Sequence, residues 1–401
     1  MRGKAGREAR GYSTGTWAAA AAKGAAAALF LGERLREAEV SLPCGEKVRL
    51  PLRKVVARGR AASCEVVKEG VERGDVTAGL TLVATVIAET GAWVRVTGGR
   101  GTGVVTKPGL EVPVGERAIN PVPRAMIRRE VMEVLRRAGG QRGCRVVISV
   151  PGGEKVAERT LNPRLGVVGG ISILGTSGLV VPYSDRAYLE SLRRSMEVAR
   201  ACGNLALVLC TGRRTESLAR RHLRLPEECF VTCGDRFHFA FRHCAALDFR
   251  LVSVWAMPGK MAKLASGRVD LRSRRGLPDV GFLLRYLDGL ESREAGGRPP
   301  VTVHALLESL GDTEKDALYR CLCLLAAFHC RRYLGGGSAV QCNLVTRDGK
   351  LVASACHFQP PPAAWSGVAR RSSGNGELPP PAGDATRRLL EERRGGGREE
   401  E

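Results

Sequence analysis

Leu205-Ala206-Leu207-Val208-Leu209-Cys210-Thr211-Gly212-Arg213 and Leu251-Val252-Ser253-Val254-Trp255-Ala256-Met257-Pro258-Gly259-Lys260 share one plan. Each is an unbroken, mostly apolar run, then a short turn with glycine, then a basic residue at the start of a helical pattern. A short apolar run bounded by turn signals fits a strand buried on both faces. Helical patterns at 187–200, after Arg213 and near 236–247, together with a short strand at Phe230–Val231, complete an alternation of helix and strand. That alternation predicts a parallel α/β sheet, whose ligands sit beyond the carboxyl ends of the strands. Thr211–Arg214 and Ala256–Lys260 are therefore expected on one edge. Further helices are predicted near 279–288, 301–309 and 315–330, then a hairpin of Gln341–Val345 and Leu351–Ala355 turning at Asp348-Gly349.

Working toward the N-terminus, the chain changes character. Gly11-Tyr12-Ser13-Thr14-Gly15-Thr16 leads into Trp17 and an Ala-rich helix predicted to end near Arg36. Hydroxyls and glycines ahead of a helix suit an anion, but they also make an ordinary N-cap, and the block alone favours the cap. Strands are expected at Val48–Leu52, Leu80–Ala88, Trp93–Val96 and Arg145–Val150. The loop Gly98-Gly99-Arg100-Gly101-Thr102-Gly103 allows close backbone approach and positive φ, but its spacing is not the dinucleotide fingerprint. Asn120-Pro121-Val122-Pro123-Arg124 opens a helix with Ile127, Val131, Val134 and Leu135 on one face. The reading is an α/β protein: an α+β N-terminal domain (11–185) and a doubly wound, mainly parallel α/β second domain (186–358). A flexible N-terminus (1–10) and a Pro/Gly-rich disordered tail (359–401) flank them.

The 401 residues carry a formal net charge of +22, with 44% hydrophobic and only 5% aromatic residues. The segment 361–401 balances seven Arg against seven acids and residues 1–10 hold +3, which leaves +19 on 11–360. Such a field attracts polyanions, either nucleic acid or a small ligand bearing many carboxylates or phosphates, unless the arginines are simply solvated. The low aromatic content disfavours nucleic acid, which is usually stacked on exposed rings. No run of about 18 apolar residues predicts a membrane span, and the N-terminus lacks a secretory pattern, so a cytoplasmic protein is expected. Thirteen cysteines then read as reduced thiols. Cys229, Cys233, His238, His243 and Cys244 match no zinc spacing, so no metal is assigned. Cys321, Cys323 and Cys330 read as small core residues.

Several blocks together resemble one family, the cobalt-precorrin-5B C1-methyltransferases of anaerobic cobalamin biosynthesis. They are Gly11–Thr16, Gly98–Leu110, Ala118–Arg124, Val150–Glu154 and, longest, Asn162–Leu179. The resemblance runs from about residue 11 to 210 and weakens through about 350. It implies methyl transfer from S-adenosylmethionine to ring carbon C1 of a cobalt-bearing tetrapyrrole. The carboxylate fringe of such a substrate suits a basic pocket, and Arg can grip carboxylates in bidentate fashion.

On that resemblance, Lys107, Asn120, Arg124, Asn162, Arg164 and Lys260 are candidates for binding the tetrapyrrole. Gly98, Gly99, Gly101, Gly103, Gly175, Thr176, Thr211 and Gly212 are candidates for the methyl donor, with Asp75 and Thr77 as catalytic candidates. The glycine loops could shape either ligand's site. Where the family commonly has histidine, this chain has Ala78, Met257 and Arg272; a usual acid is Val181 and a common Cys is Trp17. These departures motivate a second reading, a non-catalytic binder of tetrapyrrole or polyanion. Nucleic-acid binding is a third, resting on charge alone. A homo-oligomer is compatible with all three.

Overall fold

A computed structural model describes residues 11–70, 75–140, 142–180, 184–272, 302–335 and 337–357. The expected flexible N-terminus, the helix near 279–288 and the tail from 359 lie outside these residues. The chain divides into two compact units, Met1–Tyr188 and Leu189–Glu401.

The first unit opens with β1 (Gly11–Tyr12), α1 (Thr14–Phe30), a hairpin of β2 (Glu37–Ser41) and β3 (Lys47–Pro51), then β4 (Arg53–Arg58), β5 (Ala61–Val67), β6 (Thr81–Glu89) and β7 (Val94–Gly98). The short strands β8 (Gly101–Thr102) and β9 (Val104–Val105) precede α2 (Pro121–Arg137) and β10 (Gly143–Ser149). Then come α3 (Gly153–Ala157), β11 (Val167–Val168), β12 (Gly170–Ile171) and β13 (Leu179–Val180). Five strands form a sheet in the order β4-β5-β6-β10-β7, antiparallel throughout except for β10 with β7.

Alternation builds that sheet. Ala62, Cys64, Val66, Leu82, Ala84, Val86, Val94, Val96, Cys144, Val146 and Ile148 are buried and share a core with α1 and α2. From Trp17 to Ala28 almost every residue of α1 is buried, and small side chains let it lie close on the sheet. A Cβ on Gly24 would stand 2.5 Å from Leu52 Cδ1. Two expectations need correction here. The helix includes Thr14-Gly15-Thr16 as its first turn, because the Ser13 hydroxyl caps it by accepting from the Thr16 N–H at 3.2 Å. It also stops at Phe30 rather than near Arg36, since Gly32 takes φ +72° and the chain turns into β2.

The second unit comprises α4 (Asp185–Ala201, beginning just before the division), β14 (Ala206–Cys210), α5 (Arg213–His222), β15 (Phe230–Thr232), α6 (Phe237–Ala246), β16 (Leu251–Ala256) and α7 (Pro258–Ala265). The helices Val303–Ser309 and Asp312–Arg332 and the strands β17 (Ala339–Val345) and β18 (Leu351–His357) complete it. The sheet runs β15-β14-β16-β17-β18, parallel except for the hairpin partner β18. Leu207, Leu209, Val252, Val254, Val340 and Cys342 pack with α4, α6, α7 and the long helix Asp312–Arg332. Val208, Cys210 and Trp255 point the other way and meet Leu218 and Ala219 of α5. With helices on both faces, the sheet is doubly wound. Cys323 and Cys330 are indeed core residues, and the hairpin turns at Gly349, φ +93°.

Candidate functional site

Register places three loops of the first unit at one end of its sheet. Val67 pairs with Thr81, Val83 with Ser149, and Ile148 with Gly98. The turn after β5, the glycine loop after β7 and the loop after β10 therefore leave from a shared edge. Gly101 lies at the centre of a backbone crossing there. A Cβ on Gly101 would fall 1.8 Å from Val150 O, and one on Gly153 or Gly170 would fall 2.3 or 2.2 Å from Gly101 O. Gly98 is closed in by Thr102 and Arg117, Gly99 by Ser149 and Gly103 by Val167. The close approach these glycines permit is between segments of the chain itself.

The loop 174–178 occupies the start of α1. Leu174 O accepts from the Gly15 N–H at 2.9 Å, and Gly178 O from the Ser13 N–H at 2.9 Å and the Thr16 hydroxyl at 2.7 Å. The anion reading of the Gly11–Thr16 block gives way to the capping one, because protein oxygens already take these donors. Gly175 presses on Ser13, where a Cβ would meet Oγ at 2.1 Å, while Thr176 is exposed.

Asp75 and Thr77 hold each other. The Asp75 carboxylate accepts from Thr77 N at 2.9 Å and Thr77 Oγ1 at 2.6 Å, and pairs with Lys68, which is 2% exposed. Burial pushes the Asp75 carboxyl up, but the hydrogen bonds from Lys68 and Thr77 outweigh it and hold the group below its ordinary value. Lys68 was missed by sequence reasoning: a lysine beside Glu69 and Gly70 looks solvated.

Lys107, Arg124 and Arg164 belong to segments that border a small core of Val105, Val112, Ala118 and Val167, whereas Lys260 lies in the second unit. Val105 pairs with Val167, and its N–H donates to Glu116 O at 2.9 Å. Lys107 lies two residues beyond Val105, with its stem over Gly166, and Arg164 lies three before Val167. Arg124 Nη2 donates to Glu116 Oε2 at 2.9 Å, and Asn120 Nδ2 to Glu111 Oε2 at 3.1 Å. Asn162 turns inward. It is 8% exposed and braces the chain, donating to Gly170 O at 3.0 Å and accepting from the Ser172 hydroxyl at 3.2 Å.

In the second unit Cys210 pairs with Trp255 in parallel register, and the Thr211 N–H donates to Trp255 O at 3.3 Å. The loops at 211–213 and 257–260 thus sit side by side at the carboxyl edge, as the strand–helix rhythm requires. Lys260 does not stand open: its ammonium lies 2.5 Å from Asp235 Oδ1 and 3.0 Å from Leu271 O. Arg272, at a position of usual histidine, grips Asp270 through Nε at 2.9 Å and Nη2 at 2.5 Å. Glu216, also missed, is 3% exposed and accepts from the Thr232 hydroxyl at 2.5 Å and Arg220 at 3.0 Å. Cys229, Cys233 and Cys244 are buried in apolar clusters. Among the described residues no group of three or more His, Cys, Asp or Glu could hold a metal ion, and no helix is long and apolar enough to cross a membrane.

Comparison with known proteins matches residues 2–182 to the family model named CbiD. A relative from Geobacillus kaustophilus named cobalt-precorrin-5B C(1)-methyltransferase is 42% identical over 352 residues, covering 86% of this chain and 94% of that protein. One of the same name from Picrophilus torridus is 38% identical, covering 80% and 93%. A solved structure described as a cobalamin biosynthesis protein (cbiD) from Archaeoglobus fulgidus is 28% identical, covers 66% of this chain and 82% of its own, and superposes with a TM-score of 0.36. The chain belongs to the CbiD family, the cobalt-precorrin-5B C(1)-methyltransferases.

Proposed function

We propose that the protein transfers a methyl group from S-adenosylmethionine to ring carbon C1 of cobalt-precorrin-5B, giving cobalt-precorrin-6A. The observation that carries this reading is 42% identity, over nearly the whole length, to a protein of that name. The donor supplies the methyl as a sulfonium electrophile. The carbon–sulfur bond breaks with its electron pair left on sulfur as the new carbon–carbon bond forms at C1. The nucleophile is the ring's own π system, so the chain's task is to hold two reactants in line.

Lys107, Arg124 and Arg164, on segments bordering one small core, suit the carboxylate fringe of the tetrapyrrole. Arg124 already grips a carboxylate, Glu116, so a ligand carboxylate would exchange for a partner of the same chemistry. The donor's need is different: room for an adenosyl group and acceptors for a ribose diol. Gly212 and Gly259 leave room of this kind, since a Cβ on either would find no atom within 4 Å. Neither reactant requires a protein-bound metal, the cobalt being carried by the substrate.

The direct test incubates the purified chain anaerobically with S-adenosylmethionine and cobalt-precorrin-5B and weighs the tetrapyrrole by mass spectrometry. A gain of one methyl is expected. Binding of both ligands without a gain would favour the non-catalytic binder that Ala78, Met257 and Arg272 bring to mind.

A further inference from the structure

Counting only its own strands, the second unit's sheet has the order 2-1-3-4-5, with β15 second and β14 first. Connections from β14 depart in one direction to β15, and those from β16 in the other to β17, so the sheet reverses its winding between β14 and β16, the place where a crevice is expected at the strand ends. In open α/β sheets this reversal point is where ligands bind. The chain's features there agree. Gly212 is extended, φ 177°, with nothing within 4 Å of a Cβ position, and Gly259 across from it is equally open. That contrasts with Gly98, Gly99, Gly101, Gly103 and Gly175, whose corresponding space is filled by the chain's own atoms. Sequence could not separate these glycines; their surroundings do.

The unit β14-α5-β15 then has the layout of a nucleoside-binding βαβ: strand, glycine turn, helix, parallel strand, acidic residue. The acid is Asp235, three residues past the end of β15 and 23 past Gly212, close to the spacing of about 20 at which such units place a ribose acceptor. Asp235 is half-buried beside the crevice, and Lys260 from the third loop fixes it through the 2.5 Å contact.

Resting on the methyltransferase reading, we propose that the adenosyl moiety of S-adenosylmethionine binds in this crevice over Gly212 and Gly259. Asp235 accepts hydrogen bonds from the ribose diol. The carboxylate of Asp235 is the group that tells a ribonucleoside from its deoxy counterpart, and Lys260 orients it. The first unit's glycine loops are then scaffolding for the tetrapyrrole side.

The experiment measures binding rather than turnover. S-adenosylhomocysteine and its 2′-deoxy analogue are titrated calorimetrically into the full chain and into Gly212→Val and Asp235→Asn, with Lys54→Met, an exposed position on β4, as a reference outside the crevice. The parent should bind the ribonucleoside at least about 10-fold more tightly than the deoxy form. Gly212→Val should weaken both by 10-fold or more, and its backbone conformation is one valine adopts, so it should fold. Asp235→Asn should erase the preference, and Lys54→Met should bind as the parent does. If the parent binds but neither crevice variant differs from it, the assignment is overturned and the methyltransferase reading survives. A parent that binds no S-adenosylhomocysteine overturns both.

Discussion

Asp75 and Lys68 form the most consequential pair of single residues. Removing one partner of a buried pair strands the other, at a cost of about 3–5 kcal/mol. Asp75 retains some contact with water, so Asp75→Asn should lower the unfolding free energy near neutral pH by about 3 kcal/mol in urea titrations. The pH sign follows from the folded carboxyl lying below its ordinary 3.8. Its contribution is complete above that value and is lost as the pH falls through the folded one. The gap between parent and variant should therefore close in acid; a gap independent of pH would rule out the charge pairing. Arg124 behaves differently. Its pair with Glu116 is part-exposed and worth about 0–1 kcal/mol, whereas a charge-assisted grip on a ligand is worth about 1.5–3 kcal/mol. Tetrapyrrole affinity should fall from the parent to Arg124→Lys to Arg124→Met while the melting temperature stays level. Equal affinity in all three would return Arg124 to the scaffold. Residue types were legible in the sequence and partners were not: nothing in Asn162-Pro163-Arg164 reveals that Asn162 turns inward to Gly170 and Ser172.

At the scale of elements, the glycines sort into two kinds, and substitution should separate them. Gly101 has φ +74° and a blocked Cβ position. Gly101→Ala therefore combines overpacking, about 1–3 kcal/mol, with left-handed strain, about 1–2 kcal/mol. Gly212→Ala meets neither and should melt within about a degree of the parent. Comparable melting for both would refute the backbone-crossing account. The elements with strong periodicity were readable beforehand: the apolar runs of β14 and β16, the face of α2 and the Asp348-Gly349 hairpin. β5 was not, although Ala62, Cys64 and Val66 do alternate inward, because small side chains give a faint hydrophobic signal. β4 is an outer strand of its sheet with largely exposed residues, and β2 alternates Glu37 and Glu39 with Ala38 and Val40. Long-range pairing defines such strands more than local pattern does.

At the scale of the whole molecule, the positive charge belongs to the described, folded residues as well as to the composition, and it bears on the two ligands unequally. A polycarboxylate feels the summed field, and the screening length shrinks from about 30 Å to about 3 Å between about 0.01 M and 1 M salt. Tetrapyrrole affinity should fall steeply over that range, while S-adenosylhomocysteine affinity, set by shape and a few hydrogen bonds, should change little. Parallel salt dependence for both would contradict the division of labour between basic edge and sheet crevice. Glycine-rich blocks dominate the first compact unit, and alternating strands and helices the second. The candidate residues were visible only as separate blocks, because the register that brings the loops after β5, β7 and β10 to one sheet end is a property of pairing. Methylation at one particular carbon is tested most directly by the position of the new methyl. Anaerobic reaction with donor carrying a 13C-labelled methyl, followed by carbon NMR of the product tetrapyrrole, should give one new methyl signal correlated to C1. A labelled methyl at any other ring position, or none when both ligands bind, would contradict the account.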